Sequence, residues 1–441
     1  MSPADPPSRG SGPPSHRSLA SSSSPSRRAF LAAAGTTAAT AVAGCSAFGG
    51  RDEPEAFHGG DWLSFGNGPG NTNRVAGGAP APDGHETLAS AGWAHAPPVV
   101  HEGVVYFAAD RQVVAVEPDG TERWSRRLDG EGSDLDSEGS DLDSEGSDLD
   151  GEVSGAPAVD PERGRLYVPT RGGRANAGSD QEPATVTVLS LDGGDVRDVY
   201  RVGAERTYGA AVVDGDVYAR SATACVRLAP DGTERWRRPL EPIVYDEYNL
   251  GDSTATQIVP AVTGEGVYVP DRDALVKLSP ESGEERWRVP VDTAYAAPVV
   301  DDGGVVQTGW QGTAAVDHAG EVRWRRDLHS RAAAAVDDGV VYVAAGDLHE
   351  LDAETGETNW QAHLPSEGTA APVVTDESVI VAAGSAHAFR REVGGLLAPD
   401  RERWQTSSIH ATAFSSPVVA ADRVFVAGPI GLLALRAAAD G

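Results

Sequence analysis

Lysine, methionine and cysteine are nearly missing from this 441-residue chain, which has one Lys (Lys277), one Met and two Cys. Two cysteines, Cys45 and Cys225, cannot staple a chain of this size, which sets it apart from disulfide-framed secreted domains. Aromatic side chains make up only 6%, yet 40% of residues are apolar, enough to bury a sizeable core of Ala, Val and Leu. Bases are scarce as well: 36 Lys plus Arg face 66 Asp plus Glu, a formal charge of −30. Such an excess of carboxylates repels polyanions at long range, which argues against nucleic acid or a bare anionic membrane surface as partner. Acid-rich, lysine-poor, Ala/Val/Gly-rich composition is typical of proteins from salt-loving organisms such as halophilic archaea, where molar salt shortens the Debye length to about 3 Å and screens the self-repulsion. The apolar run at Ala29 to Gly44 is too short and too Ala-rich for a membrane span. The 52 glycines favour a turn-rich β fold over a helical one.

What is present begins with an address. Residues 1–25 are Ser, Pro, Gly and Arg with few large apolar side chains, a composition that cannot offset chain entropy. Arg27 and Arg28 then precede the Ala29–Gly44 run, the order of a twin-arginine export signal, and Val42-Ala43-Gly44-Cys45 has the form of a lipobox whose cysteine receives lipid after cleavage. The spacing predicts a signal peptide over 1–44, a tether over 45–60 and a membrane anchor through lipid on Cys45. The chain would then be held at the outer surface of the cytoplasmic membrane. Residues 45–441 carry 65 acids and 32 bases, a charge of −33, so acyl chains worth roughly 0.8 kcal/mol per buried CH₂ would hold a protein that its own charge keeps off the surface.

The rest is a repeat. A small-residue/Pro-Val-Val run, a Gly or acidic turn and a second β-branched run recur eight times, from Pro98–Phe107 through Pro417–Val426. The other half of the unit ends in a turn and a tryptophan, clearest in Leu351–Trp360. Compact units span 36 or 38 residues, which fits four short strands A to D and their turns. Asp-Gly, Thr-Gly and Ser-Gly between strands C and D supply the positive φ of tight hairpins. The expected fold is all-β: an eight-bladed β-propeller of four-stranded antiparallel blades over 61–441, with seven blades as the alternative. The last unit lacks a strand D, and Leu88–Ala94 with Trp93 is expected to supply it, so that the chain ends close the ring and leave no open edge. Trp93, Trp124, Trp236, Trp287, Trp324, Trp360 and Trp404 are expected to dock blade on blade.

These residues resemble the pyrroloquinoline-quinone (PQQ) repeat, whose docking motif is Ala-x-Asp-x-x-Thr-Gly-x-x-x-Trp. Leu351–Trp360 is similar to it closely, Leu278–Trp287 and Val316–Trp324 more loosely. Asp61-Trp62 with Phe65 and Asn71-Thr72-Asn73-Arg74 resembles the lead-in of exported PQQ-like propellers. The resemblance implies the propeller and two functions: a non-enzymatic BamB-like lipoprotein scaffold, or a quinoprotein dehydrogenase with PQQ and Ca²⁺ on the axis. It also implies, for many of the enzymes, a disulfide between adjacent cysteines over the cofactor, which this chain cannot form. No catalytic residue is proposed, no cofactor is expected, and PQQ with Ca²⁺ is the alternative. A propeller binding a sugar or peptide is a further one.

In this geometry the D-to-A and B-to-C loops share one face. Insertions 129–152, 171–182 and 241–256 fall there, and 392–403 on the opposite face. The first is a tandem Ser-Glu-Gly-Ser-Asp-Leu-Asp heptad with eleven acids and no base, read as a solvated expansion or a weak cation site. The third holds Tyr245 and Tyr248 with the oxygen ligands Asp246, Glu247, Asn249 and Asp252, a candidate metal or protein-partner loop whose plain alternative is a surface connection. Trp310, in a B-to-C loop, is placed to stack on a ligand near the axis or simply to pack. His95, Tyr208, Gln257, Tyr295 and Arg331 enter strand A and would line the channel. Cys225, in an apolar run, reads as a buried structural thiol, and the eleven scattered histidines suggest no metal centre.

Overall fold

The computed structural model describes residues 60–79, 81–90, 94, 96–128, 152–172, 183–204, 206–243, 258–293, 295–366, 370–391, 401–409, 415–428 and 431–437. Arg27, Arg28, Cys45, Trp93, His95, Gln257, the whole of 244–257 and nearly all of 129–152 lie outside them. The described strands form eight four-stranded antiparallel sheets, each in chain order A-B-C-D except the last. Blade 5 is typical, with strands Val299–Asp301, Gly304–Gly309, Gly312–Val316 and Val322–Arg326. Strand B is buried along its whole length in most blades, as in Val104–Ala109 and Gly266–Asp271, because neighbouring blades cover both of its faces. Strand D, on the outside, alternates instead: in Glu234–Pro239 only Trp236 is fully buried.

The ring closes by joining the two chain ends, through a different strand from the one expected. Blade 8 consists of Val418–Ala420, Arg423–Gly428 and Gly431–Ala437, completed by Pro82–Ala89. His85 pairs with Leu435 and Thr87 with Leu433 in that register, and Arg423 bonds Glu86 across the blade at 2.6 Å. Only Leu88 and Ala89 of the expected Leu88–Ala94 segment belong to this strand. Pro, Asp and Gly in 82–84 are poor strand formers, and they extend here because the edge of Gly431–Ala437 would otherwise be open.

One contact recurs at the seams. A ring on strand D of one blade lies over a glycine in the C-to-D turn of the next and bonds a carbonyl of that turn. Trp124 reaches Leu191 O at 2.8 Å, Trp236 reaches Pro280 O at 2.7 Å, Trp287 reaches His318 O at 3.1 Å and Trp324 reaches Ala353 O at 3.0 Å. The glycines beneath, Gly194, Gly283, Gly320 and Gly356, all have φ between 67° and 92°. A Cβ on any of them would meet the ring within 3.0 Å, so the turn needs glycine both for its conformation and for its closeness. Blade 2 has no tryptophan there; Tyr200 takes the place over Gly232 and bonds Pro230 O at 2.8 Å. Leu88 covers Gly120 where the closing blade meets blade 1. Trp360 packs edge-on against Phe389 at 5.4 Å under the guanidinium of Arg401, and Trp404, whose indole N–H has no partner among the described residues, packs against the core of blades 7, 8 and 1. Each buried indole removes about 150–250 Å² from water, roughly 4–6 kcal/mol gross.

An aspartate shapes the same turns. Asp352 accepts the amides of Glu354 and Thr355 and the Thr355 hydroxyl; Asp119 and Asp231 accept the amides of Thr121 and Thr233 in blades 1 and 3, and Asp317 those of Ala319 and Glu321 in blade 5. The amides hold all four carboxyls below the usual range of an aspartate. A carboxyl whose folded value is depressed contributes stability above its unfolded value and loses it as pH falls through the folded one. Asp352→Ala is therefore expected to destabilise at neutral pH, with the difference from wild type shrinking as pH drops below about 4 in melts across a pH series. Trp324→Ala is expected to cost about 3–5 kcal/mol. Gly356→Ala is expected to cost about 1–3 kcal/mol through its positive φ and its clash with the same ring, both costs being read from denaturant unfolding.

Candidate functional site

The centre of the propeller is occupied by the chain itself. The lead-in, residues 60–79, crosses the mouth on which the A-to-B turns open and bonds strand A of six blades. Trp62 exchanges both main-chain bonds with Val100 of blade 1, and Leu63 O accepts from Val159 of blade 2. Pro69, Gly70, Thr72 and Asn73 offer their carbonyls to Val262, Val300, Val336 and Val374 of blades 4 to 7. The Asn71 side-chain amide donates to Val259 O and Pro298 O, each at 3.1 Å, and that of Asn73 to Ala334 O at 2.9 Å. Gly70 passes so close to blade 5 that a Cβ would sit 2.4 Å from Val300 O. Phe65 is 1% exposed and belongs to one buried cluster with Ala96, Ala156, Val259, Ala297, Ala333 and Ala371, from the strand-A entrances of six blades. Phe65 lies in the stretch of the lead-in between Leu63 and Pro69, whose main chain bonds strand A of blades 2 and 4, which puts it at the centre of the ring.

A tricyclic quinone on the axis would need an open chamber with a flat ring on one side and oxygen ligands for a cation. Phe65 and the alanines fill that level, and among the described residues no group of three His, Cys, Asp or Glu could hold a metal ion. The described residues do not fit the group. Cys225 is fully buried, and burial pushes its thiol up to about 12, so it packs as a small apolar side chain.

The opposite mouth carries the residues picked from the sequence. Tyr208 and Tyr295 are buried, at 3% and 2% exposure, and do not line an open channel; Arg206 and Arg220 lie over the Tyr208 ring. Tyr295, Arg331 and Trp310 come together from three connections. The Arg331 guanidinium stands 4.5 Å from the Trp310 ring centroid and 5.8 Å from that of Tyr295. One face of Trp310 is thus covered by the arginine. Tyr295 holds a φ of 80°, a left-handed conformation that costs an aromatic residue energy. On the far edge of Trp310, His329 stacks in a T at 6.3 Å, donates from Nδ1 to the Trp310 carbonyl and bonds Asp327 through Nε2 at 2.8 Å. The Trp310 carbonyl, followed by Asp327, raises the His329 pKa and favours the imidazolium. Arg331 Nε is buried and has no hydrogen-bond partner among the described residues. The carriers are rigid: Thr308 bonds Ala332 O at 2.6 Å and Ser330 bonds Ala344 O at 2.7 Å, on either side of Arg331.

Two arrangements escaped the sequence reading. On the plugged face a cleft of about 840 Å³ is lined by Arg74, Arg391 and Arg403 with Asp337, Asp376 and Glu377, but these charges pair with one another: Arg74 Nε with Asp337 at 3.0 Å, Arg391 with Asp337 at 2.6 Å and Arg403 with Glu377 at 2.7 Å. In blade 7, Ser385 Oγ lies 2.8 Å from His387 Nε2, and His387 Nδ1 lies 3.3 Å from Glu402. The order is that of a hydrolytic triad, yet Ser385 and His387 are 6% and 4% exposed and Gln405 also bonds the Ser385 oxygen, so the group ties strands C and D together. Ser385 and His387 two apart on one strand were the available signal.

Comparison with known proteins agrees with this geometry. A family profile described as outer membrane protein assembly factor BamB matches residues 214–327 and 310–441, more than half of the chain. The chain belongs to this family of PQQ-like propellers. Outer membrane protein assembly factor BamB of Nitrosomonas eutropha is 31% identical over 129 residues, which make up 28% of this chain and 31% of that protein. The chain therefore spans under a third of that relative. Among solved structures, BamB from Moraxella catarrhalis aligns with a TM-score of 0.55 at 15% identity, over 79% of this chain and 96% of that one. Quinohemoprotein alcohol dehydrogenase ADHIIG from Pseudomonas putida HK5 aligns at 0.60 and 13% identity, over 86% and 81%. At such identities both likenesses speak for the fold alone, and the family's scaffold carries both kinds of protein.

The lead-in is a structural element that can be tested apart from any ligand. Asn71→Ala leaves the carbonyls of Val259 and Pro298 without the donor they share, and Phe65→Ala opens a hole on the axis. Losses of about 1–3 kcal/mol and about 3–5 kcal/mol respectively are expected in denaturant unfolding. If both variants melted like wild type, the lead-in would not be part of the folded core.

Proposed function

We propose that this chain is a membrane-anchored, extracytoplasmic and non-catalytic propeller, a binding scaffold whose partner docks on the face where the D-to-A and B-to-C loops open. The observation that carries the reading is the axis filled by the chain's own lead-in, with Phe65 among alanines where a quinone would need room. The mouth opposite the lead-in favours the same choice of face, since the longest insertions connect strands there and its Arg331–Trp310–Tyr295 group is held by pinned backbone. Membership of the BamB family supports a scaffold. The role in outer-membrane assembly carried by the relatives' name is left with them, because the composition speaks for a salt-loving source with a different envelope. Export through Arg27 and Arg28 and lipid on Cys45 remain part of the proposal on sequence grounds.

Incubation with PQQ and Ca²⁺ is expected to give neither saturable quinone absorbance nor dye-linked alcohol oxidation, and either signal would overturn the non-catalytic reading. In the same cells, Cys45→Ala is expected to move the protein from the membrane fraction to the soluble one. Full retention of that variant at the membrane would remove the lipid anchor from the proposal.

A further inference from the structure

We propose that Arg331 is the anchor of a carboxylate-binding site at the mouth of the propeller opposite the lead-in, formed by its guanidinium beside Trp310 and Tyr295. The inference rests on the reading of that mouth as the binding face and gives the ligand its chemistry.

Arginines elsewhere in the fold are commonly tied to an acceptor: Arg227 and Arg235 to Asp216, Arg288 to Asp271, Arg401 to Glu350, Arg326 to the carbonyls of the blade 6 turn. In a chain of net charge −30 carboxylates are abundant, yet no ion pair or hydrogen bond is found for Arg331 among the described residues. Its contacts are the two aromatic rings, over whose faces the guanidinium carbon lies, and a ring face attracts the charge without serving as a paired acceptor for the N–H groups. Donors that could hold a carboxylate in two parallel bonds therefore find no acceptor among the described residues, and one of them, Nε, is already out of water.

Two described acids near the site are engaged elsewhere. Asp327 holds His329, and Asp292 accepts the amide of Gln311. His329, on the edge of the same Trp310 ring, is the second positive group of the site when protonated. Preorganisation is high, since the residues on both sides of Arg331 are fixed to strands of blades 5 and 6 by Thr308 and Ser330, so little freedom is left to lose on binding. The carboxylate can come from an acidic segment of a partner protein or from a small dicarboxylic acid, and the chemistry of recognition is shared.

The test is calorimetric titration of the full chain with acetyl-Glu-Glu-Glu-amide, with its Gln-Gln-Gln counterpart and with succinate, at about 1 M salt, where the long-range repulsion from the acidic surface is screened. Saturable binding of the Glu peptide is expected, with none of the Gln peptide. Arg331→Gln should weaken it by about tenfold or more. Arg331→Lys should give an intermediate loss, because an ammonium cannot make the paired bonds. Arg325→Gln, which removes an arginine of the same face already bonded to Pro290 O, should change nothing. Succinate binding that follows Arg331 supports the site with small acids as ligands, and binding of the peptide alone supports it with a partner segment. Equal binding of the Glu and Gln peptides, binding unchanged in Arg331→Gln, or no binding of either acid overturns it. The comparison of peptides on the unaltered chain needs no variant to fold. A negative result here leaves the non-catalytic reading standing, because that reading is decided by the quinone experiment.

Discussion

The fold depends on an aromatic ring laid on a glycine. At five successive seams, from blade 1 to blade 6, a ring of strand D covers the C-to-D turn of the next blade and bonds a carbonyl in it. The contact joins three requirements in one place: a positive φ that only glycine takes easily, a flat apolar surface with no Cβ in the way, and a carbonyl left over by the hairpin. With only 6% aromatic residues, the chain concentrates its tryptophans where one ring links two sheets. Blade 2 keeps the geometry with Tyr200, so the ring and its donor matter more than the indole.

The axis follows a different rule. Strand A is short, three residues or fewer in most blades, and is apolar with small side chains at its entrance, so eight of them leave a narrow core lined by Ala and Val. The lead-in fills the remaining space with one phenylalanine and satisfies strand-A amides that would otherwise face an empty centre. Asn67, Asn71 and Asn73 take φ of 54° to 56°, a conformation asparagine tolerates better than most residues, and this lets the segment turn from blade to blade within the mouth.

The eight Val-rich pairs of runs, the glycine turns and the tryptophans were legible because they repeat, and each repeat reinforces the others. The closing strand was misplaced because Trp93 looks like a docking residue, whereas Pro82–Ala89 has no strand pattern of its own and is extended by the edge it completes. The plug was not legible as such: Asp61-Trp62 and Asn71–Arg74 stand out as a motif, but the bonds that define their role reach as far along the chain as Val374 and Asp376 of blade 7. Tyr295, Trp310 and Arg331 could be placed near one another from the topology of the loops. That the arginine lies on the tryptophan, leaving its polar edge unused, depends on side-chain directions that no period reports.

Closing the last blade with strands from both chain ends has a kinetic side. Glu86 and Arg423 are 337 residues apart in sequence, and the pairing they belong to cannot begin until all the blades between them have been made. Non-local pairing of this kind slows folding, because the entropy of closing the loop is lost before any contact compensates for it. Until Gly431–Ala437 arrives, Pro82–Ala89 has no partner and the ring keeps two open sheet edges. The interval between synthesis of blade 7 and completion of blade 8 is thus the period in which this protein is most exposed to misassembly with its own copies.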